Sequence, residues 1–481
     1  MAPASLLRTA DARLASVYGL ASPSSPRLRA EPRRQNGMSL VEAVGFMLGA
    51  MPNLGPSPLP GAPRSAVSSL DVAWARAQFP ALEQRLQGAP VTFFDNPAGT
   101  QVPRRVIDGV ARYFTEANAN THGSFVTSQR TDRTISRARE LGAAFVGASS
   151  PSEVVFGANM TTLTYALSRA LGRGLSPGDE IIVSDLDHDA NISPWLDLAS
   201  RGVVVRRIPV HLDNCTLDLE HFSRLLSQKT RLVAVGLASN AVGTINDVAR
   251  ITQLSHQVGA WVWVDAVHYA PHGLIDVAAL DCDFLVCSAY KFFGPHVGLL
   301  WGRAQLLEQL VTRQVRPAPQ TVPERFETGT KCHEGLAGLV EAFSYIAEHG
   351  GGFEADGGDP RVVLVRAMHA IRAHELVLAA LLLEGLHSVR GLRIVGLSAA
   401  AELDGRVPTF AFTLDGWPSA EVSERLAERG IFTWAGNHYA LTLMERLDLE
   451  SRGGVVRVGA VHYNTAAEVE RLIDALQALR R

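Results

Sequence analysis

From Val91 to Trp301, short apolar runs alternate with segments whose apolar residues recur every three or four positions. The runs are "VTFF" (91–94), "EVVF" (153–156), "EIIVS" (180–184), "VVVRRI" (203–208), "RLVAVGL" (231–237), "AWVWV" (260–264), "DFLVC" (283–287) and "VGLLW" (297–301). They are rich in β-branched residues and mostly apolar on both faces, the pattern of strands buried in a largely parallel sheet. Between them, Thr131–Val146 and Asp247–Val258 carry helical periodicity. The alternation predicts an α/β domain with helices on both sides of one sheet. The Pro-rich stretch 315–330 reads as a boundary. Long helices follow it, then "PTFAFTL", "GIFTW" and "VVRVGAV", which predict a smaller α+β domain. The expected organisation is an extension over 1–70, a large α/β domain with an N-terminal arm over 71–330, and a small domain over 331–481.

A chain of 481 residues with 47% hydrophobic content can bury such a core. The formal net charge of −3 is unpatterned, which argues against nucleic acid or an anionic membrane as partner. No apolar run reaches membrane-spanning length. Four cysteines are too few for a disulfide framework at this length, so the thiols are expected to be reduced and the protein cytoplasmic. Residues 1–70 are rich in Ala, Ser, Pro and Arg, with further methionines at Met38, Met47 and Met51. They lack a sustained amphipathic period, so a disordered extension or an early start is expected, the alternative being an organelle transit segment.

In open α/β sheets, chemistry collects at the carboxyl ends of strands. Asp187 and His188 follow one run, Ser239 and Asn240 the next, then Asp265 with His268, and Ser288 with Lys291. Lysine is scarce: among 45 Lys+Arg, only Lys229, Lys291 and Lys331 are lysines. Lysine can act as a neutral amine where arginine cannot, and Lys291 sits among aromatics ahead of a Gly-Pro turn. Asp265 closes the apolar run "WVWVD", where a carboxylate needs a cation or hydrogen bonds. A lysine amine and a buried acid suit pyridoxal phosphate, which takes a lysine Schiff base and an acidic partner on its ring nitrogen. The plainer reading of Asp265 is a helix cap. "FGANMTTL" (156–163) offers a strand end, a glycine turn and Thr161–Thr162 opening a helix, which suits a phosphate or is an ordinary N-cap. His188 can stack on a cofactor ring and carry protons near neutral pH, or is a surface-turn histidine.

"GDEIIVSDLDHDANISPW", "ASNAVGTIND", "VDAVHYAPHGLIDV" and "SAYKFFGPHVG" together resemble the ordered blocks of the class V aminotransferases, in their cysteine-desulfurase-like branch. The resemblance runs from about Asn96 to the C-terminus. It implies the fold type I architecture of pyridoxal-phosphate-dependent enzymes. It also implies Lys291 as the Schiff-base lysine, Asp265 as partner of the ring nitrogen and His188 stacked on the ring. His268, where many relatives have Gln, would contact the phenolic oxygen. Met160 and Thr161, helped by Ser288, would hold the phosphate. Tyr290 stands where the family has a histidine, and its hydroxyl can reach a phosphate oxygen. "RFETGT" (325–330) is similar to a segment that enters the neighbouring subunit's site, so Gly329 and Thr330 imply a homodimer. Asn240 would lie beside cofactor and substrate, and Arg457 would grip the substrate carboxylate in the bidentate way open to a guanidinium.

One departure bears on activity. Desulfurases carry, in the loop ahead of that arginine, a cysteine that takes up sulfur as a persulfide. Here the loop reads "AGNHYALTLM", with Tyr439 at the matching place and Trp434 in place of a basic residue. Cys332, just after the dimer-crossing segment, reads as structural. The expectation is therefore a lyase that cleaves a C–S or C–C bond of an amino-acid substrate without a persulfide relay. Alternatives are a class V aminotransferase or epimerase, and a genuine cysteine desulfurase. More remote are an inactive scaffold and a metal hydrolase built on Asp187, His188, Asp265, His268 and His272, against which Pro271 interrupts the helical spacing of the last two.

Overall fold

The computed structural model describes Leu70–Glu354 and Gly358–Leu479, all within one compact unit of the chain. The expectation for 1–70 lies, apart from Leu70, outside these residues.

Seven strands build the large sheet: β1 (Val154–Gly157), β2 (Glu180–Ser184), β3 (Val204–Ile208), β4 (Thr230–Gly236), β5 (Trp261–Asp265), β6 (Phe284–Ser288) and β7 (Gly298–Gly302). Their spatial order is β1-β7-β6-β5-β4-β2-β3. β3, β2, β4, β5 and β6 run parallel, and β7 pairs antiparallel with both β6 and β1. The interior runs are mostly apolar because each face of the sheet serves a different core, while the edge strand β3, with Arg206 and Arg207, is partly exposed. Ile182, Val233, Val235, Val262, Val264 and Leu285 join one core, with Ile135 and Leu141 of helix Val126–Val146 and Leu339 and Phe343 of helix His333–Glu348. Ile181, Val183, Leu232, Ala234, Trp263 and Val286 join the other, with Leu163 and Leu167 of helix Met160–Leu171 and with Trp195.

Seven of the eight expected runs are strands of this sheet, and "VTFF" is not. Thr92–Phe93 pairs in parallel with Ile431–Phe432 instead, far along the chain, and Phe93 meets the Phe432 ring edge-on at 5.5 Å. An apolar run of four residues carries no information about its partner, and here the partner belongs to the C-terminal region. The helix expected from Thr131 begins at Val126, and the one expected from Asp247 begins at Val248, with the Asp247 side chain accepting the Arg250 N–H as its N-cap.

The smaller sheet comprises β8 (Leu392–Val395), β9 (Thr409–Leu414), β10 (Trp434–Gly436) and β11 (Val455–Gly459), antiparallel in the order β8-β9-β11-β10. Phe410, Phe412, Val456 and Val458 face Leu426 and Leu472 of its helices in a third core. The expected division at 330/331 precedes helix His333–Glu348, which packs on the large-sheet layers. The handover between cores falls inside the long helix Pro360–Ser388: Leu364 and Ile371 join the first core, Leu378 and Leu382 the third. Among the described residues, no helix is long and apolar enough to cross a membrane.

Candidate active site

The carboxyl ends of β1, β2, β4, β5 and β6 open into a cavity of about 370 Å³, closed on its far side by β10, β11 and the loop between Gly436 and Tyr439. Lys291, Asp265, His188, His268, Asn240, Met160, Thr161, Tyr290, Tyr439 and Arg457 all line it. The parallel sheet delivers the first eight to one edge because every strand in that set points the same way, and Tyr439 and Arg457 come from the smaller sheet and its loop.

Three lysines have three fates. Lys229 is exposed. Lys331 pairs with Glu327 at 2.9 Å, in a cluster that also holds the buried Arg139 at 2.7 Å. Lys291 alone reaches the cavity, on the short turn Ala289–Lys291 after β6. Its amine donates to the Pro97 carbonyl and lies 4.9 Å from the Tyr290 ring centre. Burial, together with the Arg457 guanidinium, lowers its pKa to about 7, and Asp265 and Asp95 pull the other way.

Asp265, the last residue of β5, accepts at Oδ1 from the Val267 N–H at 2.9 Å. Burial raises its pKa to about 7, with the Asp187 carboxylate adding to the effect. Asp187 lies behind it, accepting from the Gly236 N–H at 2.9 Å and Asn191 Nδ2 at 2.8 Å, and burial raises it to about 6. His188 Nδ1 accepts from the Ala190 N–H at 3.0 Å, so the neutral ring carries its proton on Nε2. Burial, then the charges of Lys291 and Arg457, lower His188 to about 4. It is therefore a neutral ring at pH 7, with a free Nε2–H and a face open to stacking.

Tyr439 lies over that surface, ring centres 5.2 Å apart and planes inclined by 16°. His438 and Tyr439 both have positive φ, 55° and 58°, unfavourable for residues with a Cβ. The loop holds them there through three bonds to its surroundings. Asn240 Nδ2 donates to the His438 carbonyl at 2.7 Å, the Asp189 N–H to the Tyr439 carbonyl at 2.7 Å, and His438 Nε2 to the Val455 carbonyl at 3.2 Å. Arg457, in β11, donates to the Asn240 carbonyl at 2.8 Å, while its Nε is buried without a partner. Burial brings its pKa down only to about 10, so it stays charged at neutral pH.

Helix Met160–Leu171 starts at the cavity, with Asn159 as N-cap, its side chain accepting the Thr162 N–H at 2.9 Å. Thr162 serves this cap, leaving Thr161 with Met160 on the cavity wall. Gly298 allows the approach: a Cβ there would lie 2.5 Å from the Asn159 carbonyl carbon.

The structure does not bring every expected residue to the cavity. Ser288 sits one step behind it, its Oγ accepting the Met160 N–H at 2.9 Å. Gly329 and Thr330, expected in a neighbouring subunit's site rather than this one, are exposed and away from the lining. His268 faces the cavity but is engaged with Thr409 Oγ1 at 3.0 Å, and His272 with Glu375 at 2.8 Å. Among the described residues, no group of three or more His, Cys, Asp or Glu is arranged to hold a metal ion. No cysteine lines the cavity: Cys215, Cys282 and Cys287 are buried, and Cys332 is exposed elsewhere.

Asn437, His438, Pro97 and Ala98 are part of the wall, none of which the sequence reading included, and so are Asp187 and Trp434, which it noted at a strand end and in the loop without a role in the leading reading. Asp95, behind Pro97, is a further miss. It had a signal, since "VTFFD" ends an apolar run on an acid as "WVWVD" does.

A family model described as Aminotransferase class-V matches residues 92–472. The chain is 32% identical to a cysteine desulfurase of Synechococcus elongatus, over 92% of this chain and 69% of that protein. It is 33% identical to a probable cysteine desulfurase of Pseudomonas aeruginosa, over 85% of this chain and 98% of that one. It is 34% identical to an aminotransferase-like protein of Gibberella zeae, over 85% and 98%. Among solved structures, the apo cysteine desulfurase of Thermococcus onnurineus superposes with a TM-score of 0.75 at 25% identity, covering 86% of this chain and 99% of that one.

Proposed function

Because this chain belongs to the class V aminotransferase family and is a pyridoxal-phosphate-dependent enzyme of fold type I, we propose that it cleaves a C–S or C–C bond of an amino-acid substrate without a protein-borne persulfide. The observation that carries the second half is the cavity wall: Tyr439 occupies the loop facing Lys291, and no cysteine lines the site.

The residues present suit the cofactor. An amine lowered to about 7 is available as a nucleophile near neutrality. A buried acid with a single hydrogen bond among the described residues invites a cation opposite it. A helix start beside Thr161 presents backbone donors of the kind that bind phosphate. When bound, the cofactor supplies an electron sink for the pair left as a bond to the substrate's α-carbon breaks.

In this reading Lys291 is the covalent anchor and Asp265 the counter-charge of the ring nitrogen. His188 packs as a neutral ring, and Met160 and Thr161 serve the phosphate, with Ser288 holding the Met160 backbone in place. His268 and Tyr290 border the cofactor. Arg457 offers the substrate carboxylate the donors it does not spend on Asn240. Tyr439 presents its hydroxyl at the cavity wall as a proton donor for a leaving group. The exposed Gly329 and Thr330 are assigned to the cofactor site of a second copy, making a homodimer.

The second reading, a true cysteine desulfurase, is favoured by the relatives at 32% and 33% identity. A panel of amino acids with product identification by mass spectrometry, run beside persulfide detection on the protein, separates the two. Stoichiometric persulfide after incubation with cysteine would establish the desulfurase and end the first reading.

A further inference from the structure

The segment Phe94–Gly99 takes Lys291 on the Pro97 carbonyl and pairs with β11 two residues beyond Arg457. The Phe94 carbonyl accepts the Gly459 N–H at 2.8 Å, and Asp95 bridges Gly459 in parallel, two residues beyond Arg457 on β11. Asn96 Nδ2 fastens the segment to the Gly459 carbonyl at 2.8 Å and to Phe93 at 2.9 Å. Gly459 is needed there, since a Cβ would collide with the Pro97 ring. The Pro97 carbonyl then takes the Lys291 amine. Asp95 Oδ1 is buried with no hydrogen-bond partner, and so is Arg457 Nε. A carboxylate and a guanidinium thus lie within reach of each other's field with unspent hydrogen-bonding capacity on both.

We propose that Asp95 is a positioning residue of this site: its charge biases Lys291 toward keeping its proton and opposes the approach of a substrate carboxylate to Arg457. The proposal rests on the assignment of Lys291 and Arg457 above. The charged and titratable groups facing Asp95 are Arg457, Lys291 and the Tyr463 phenol. Those acting on Lys291 are Arg457, Asp265 and Asp95. Burial raises Asp95 to about 6, which still leaves it mostly ionised at pH 7, and the two cations act to hold it so. The charge therefore acts on both cations through a poorly screened interior.

The test compares the holoenzyme with Asp95→Asn and Asp95→Glu by two readouts other than turnover. The first is the pH midpoint of the cofactor's visible absorbance. The second is the dissociation constant of propionate, a carboxylate with no amine, read from its effect on that absorbance. Removing the negative charge should lower the midpoint by on the order of one pH unit. It should also tighten propionate roughly three- to tenfold, and Asp95→Glu should stay near wild type. A merely structural Asp95 predicts the reverse: propionate binds more weakly as Arg457 loosens, Glu does not rescue, and the midpoint stays within about 0.2 unit. Either of those results overturns the proposal. Asp95→Ser is a second charge-removing variant if Asn does not yield folded protein. Failure of wild-type absorbance to disappear in Lys291→Ala would strike the lysine assignment instead, and the proposal with it.

Discussion

The low basicity of Lys291 can be read chemically, because the chain contains only three lysines. With a pKa of about 7, roughly half of Lys291 is free amine at pH 7 in protein stripped of cofactor. A lysine at the reference value near 10.4 is free amine in about one molecule in 2,500. That is an advantage of about a thousandfold in reactive form. A less basic amine is also a weaker nucleophile. A Brønsted slope of about 0.4–0.5, as for thiolates, returns a factor of about thirty and leaves a net preference of a few tens. The perturbation is a limiting dose of cyanate, small enough for a cavity of about 370 Å³. The assay is peptide mass mapping of Lys229, Lys291 and Lys331 in the same sample, at several pH values. Carbamoylation of Lys291 should exceed that of the exposed Lys229 at pH 7, level off relative to it above about pH 8, and vanish when pyridoxal phosphate is restored. Label confined to Lys229 and Lys331, or a Lys291 yield that climbs in parallel with Lys229 to pH 10, would refute the reasoning.

Asp265→Asn should keep the cofactor, seen in the absorbance spectrum, while lowering turnover about 10²–10³-fold through loss of a charge in a buried site; near-normal turnover would remove Asp265 from its assigned role. Tyr439→Phe should lower turnover with the spectrum intact. After incubation with cysteine, mass spectrometry should find no protein persulfide, and any sulfide release should persist in Cys332→Ser. Acid should destabilise the cofactor-free fold, measured as the urea midpoint between pH 7 and 5. His188 and His349 are lowered to about 4, His438 to about 3, and His268 and His462 well below their usual range, so the stability they confer is complete above about 6.5 and is lost as pH falls toward those values. Asp95, Asp187 and Asp265, raised to about 6, 6 and 7, act in the opposite sense, because their contribution is greatest below about 4 and is lost as pH rises through 6–7. Five histidines against three carboxylates give a net loss at pH 5, and a midpoint that rises between pH 7 and 5 would contradict it.

The central sheet was legible because strands buried on both faces must be apolar along their whole length, and their polar ends then stand out. Asp265 and Lys291 were found that way, and the structure sets them on one cavity with His188 and Asn240. What the sequence hides are contacts that a side chain does not advertise. Pro97 reaches Lys291 through its carbonyl, and Asp95 works from a segment whose pairing partner lies more than 300 residues along the chain. The charge of His188 is also hidden, since the residue type announces a titratable ring while burial and two neighbouring cations lower its pKa to about 4. The change of core within Pro360–Ser388 was equally hidden, for one continuous helical period can face two cores in succession.

The cavity's charges also constrain how recognition and proton transfer relate. Lys291 and Arg457 face three buried carboxylates, and Lys291, Asp95, Asp187 and Asp265 all have pKa values of about 6 to 7. In so crowded a site, moving any one charge changes the protonation of the rest. Arg457 is the charge that most disfavours a proton on Lys291 after burial itself. Under the proposed role of Arg457, a substrate carboxylate settling on it would offset that charge, and the contact that selects an amino acid would also raise the proton affinity of the nearby nitrogen. An incoming amino acid brings an ammonium group that must lose a proton before it can react. The site then becomes a better proton acceptor at the moment the substrate's carboxylate is correctly seated, and an amine without a carboxylate gains no such help. Under the proposed roles, recognition of the carboxylate and removal of the proton would be one electrostatic event.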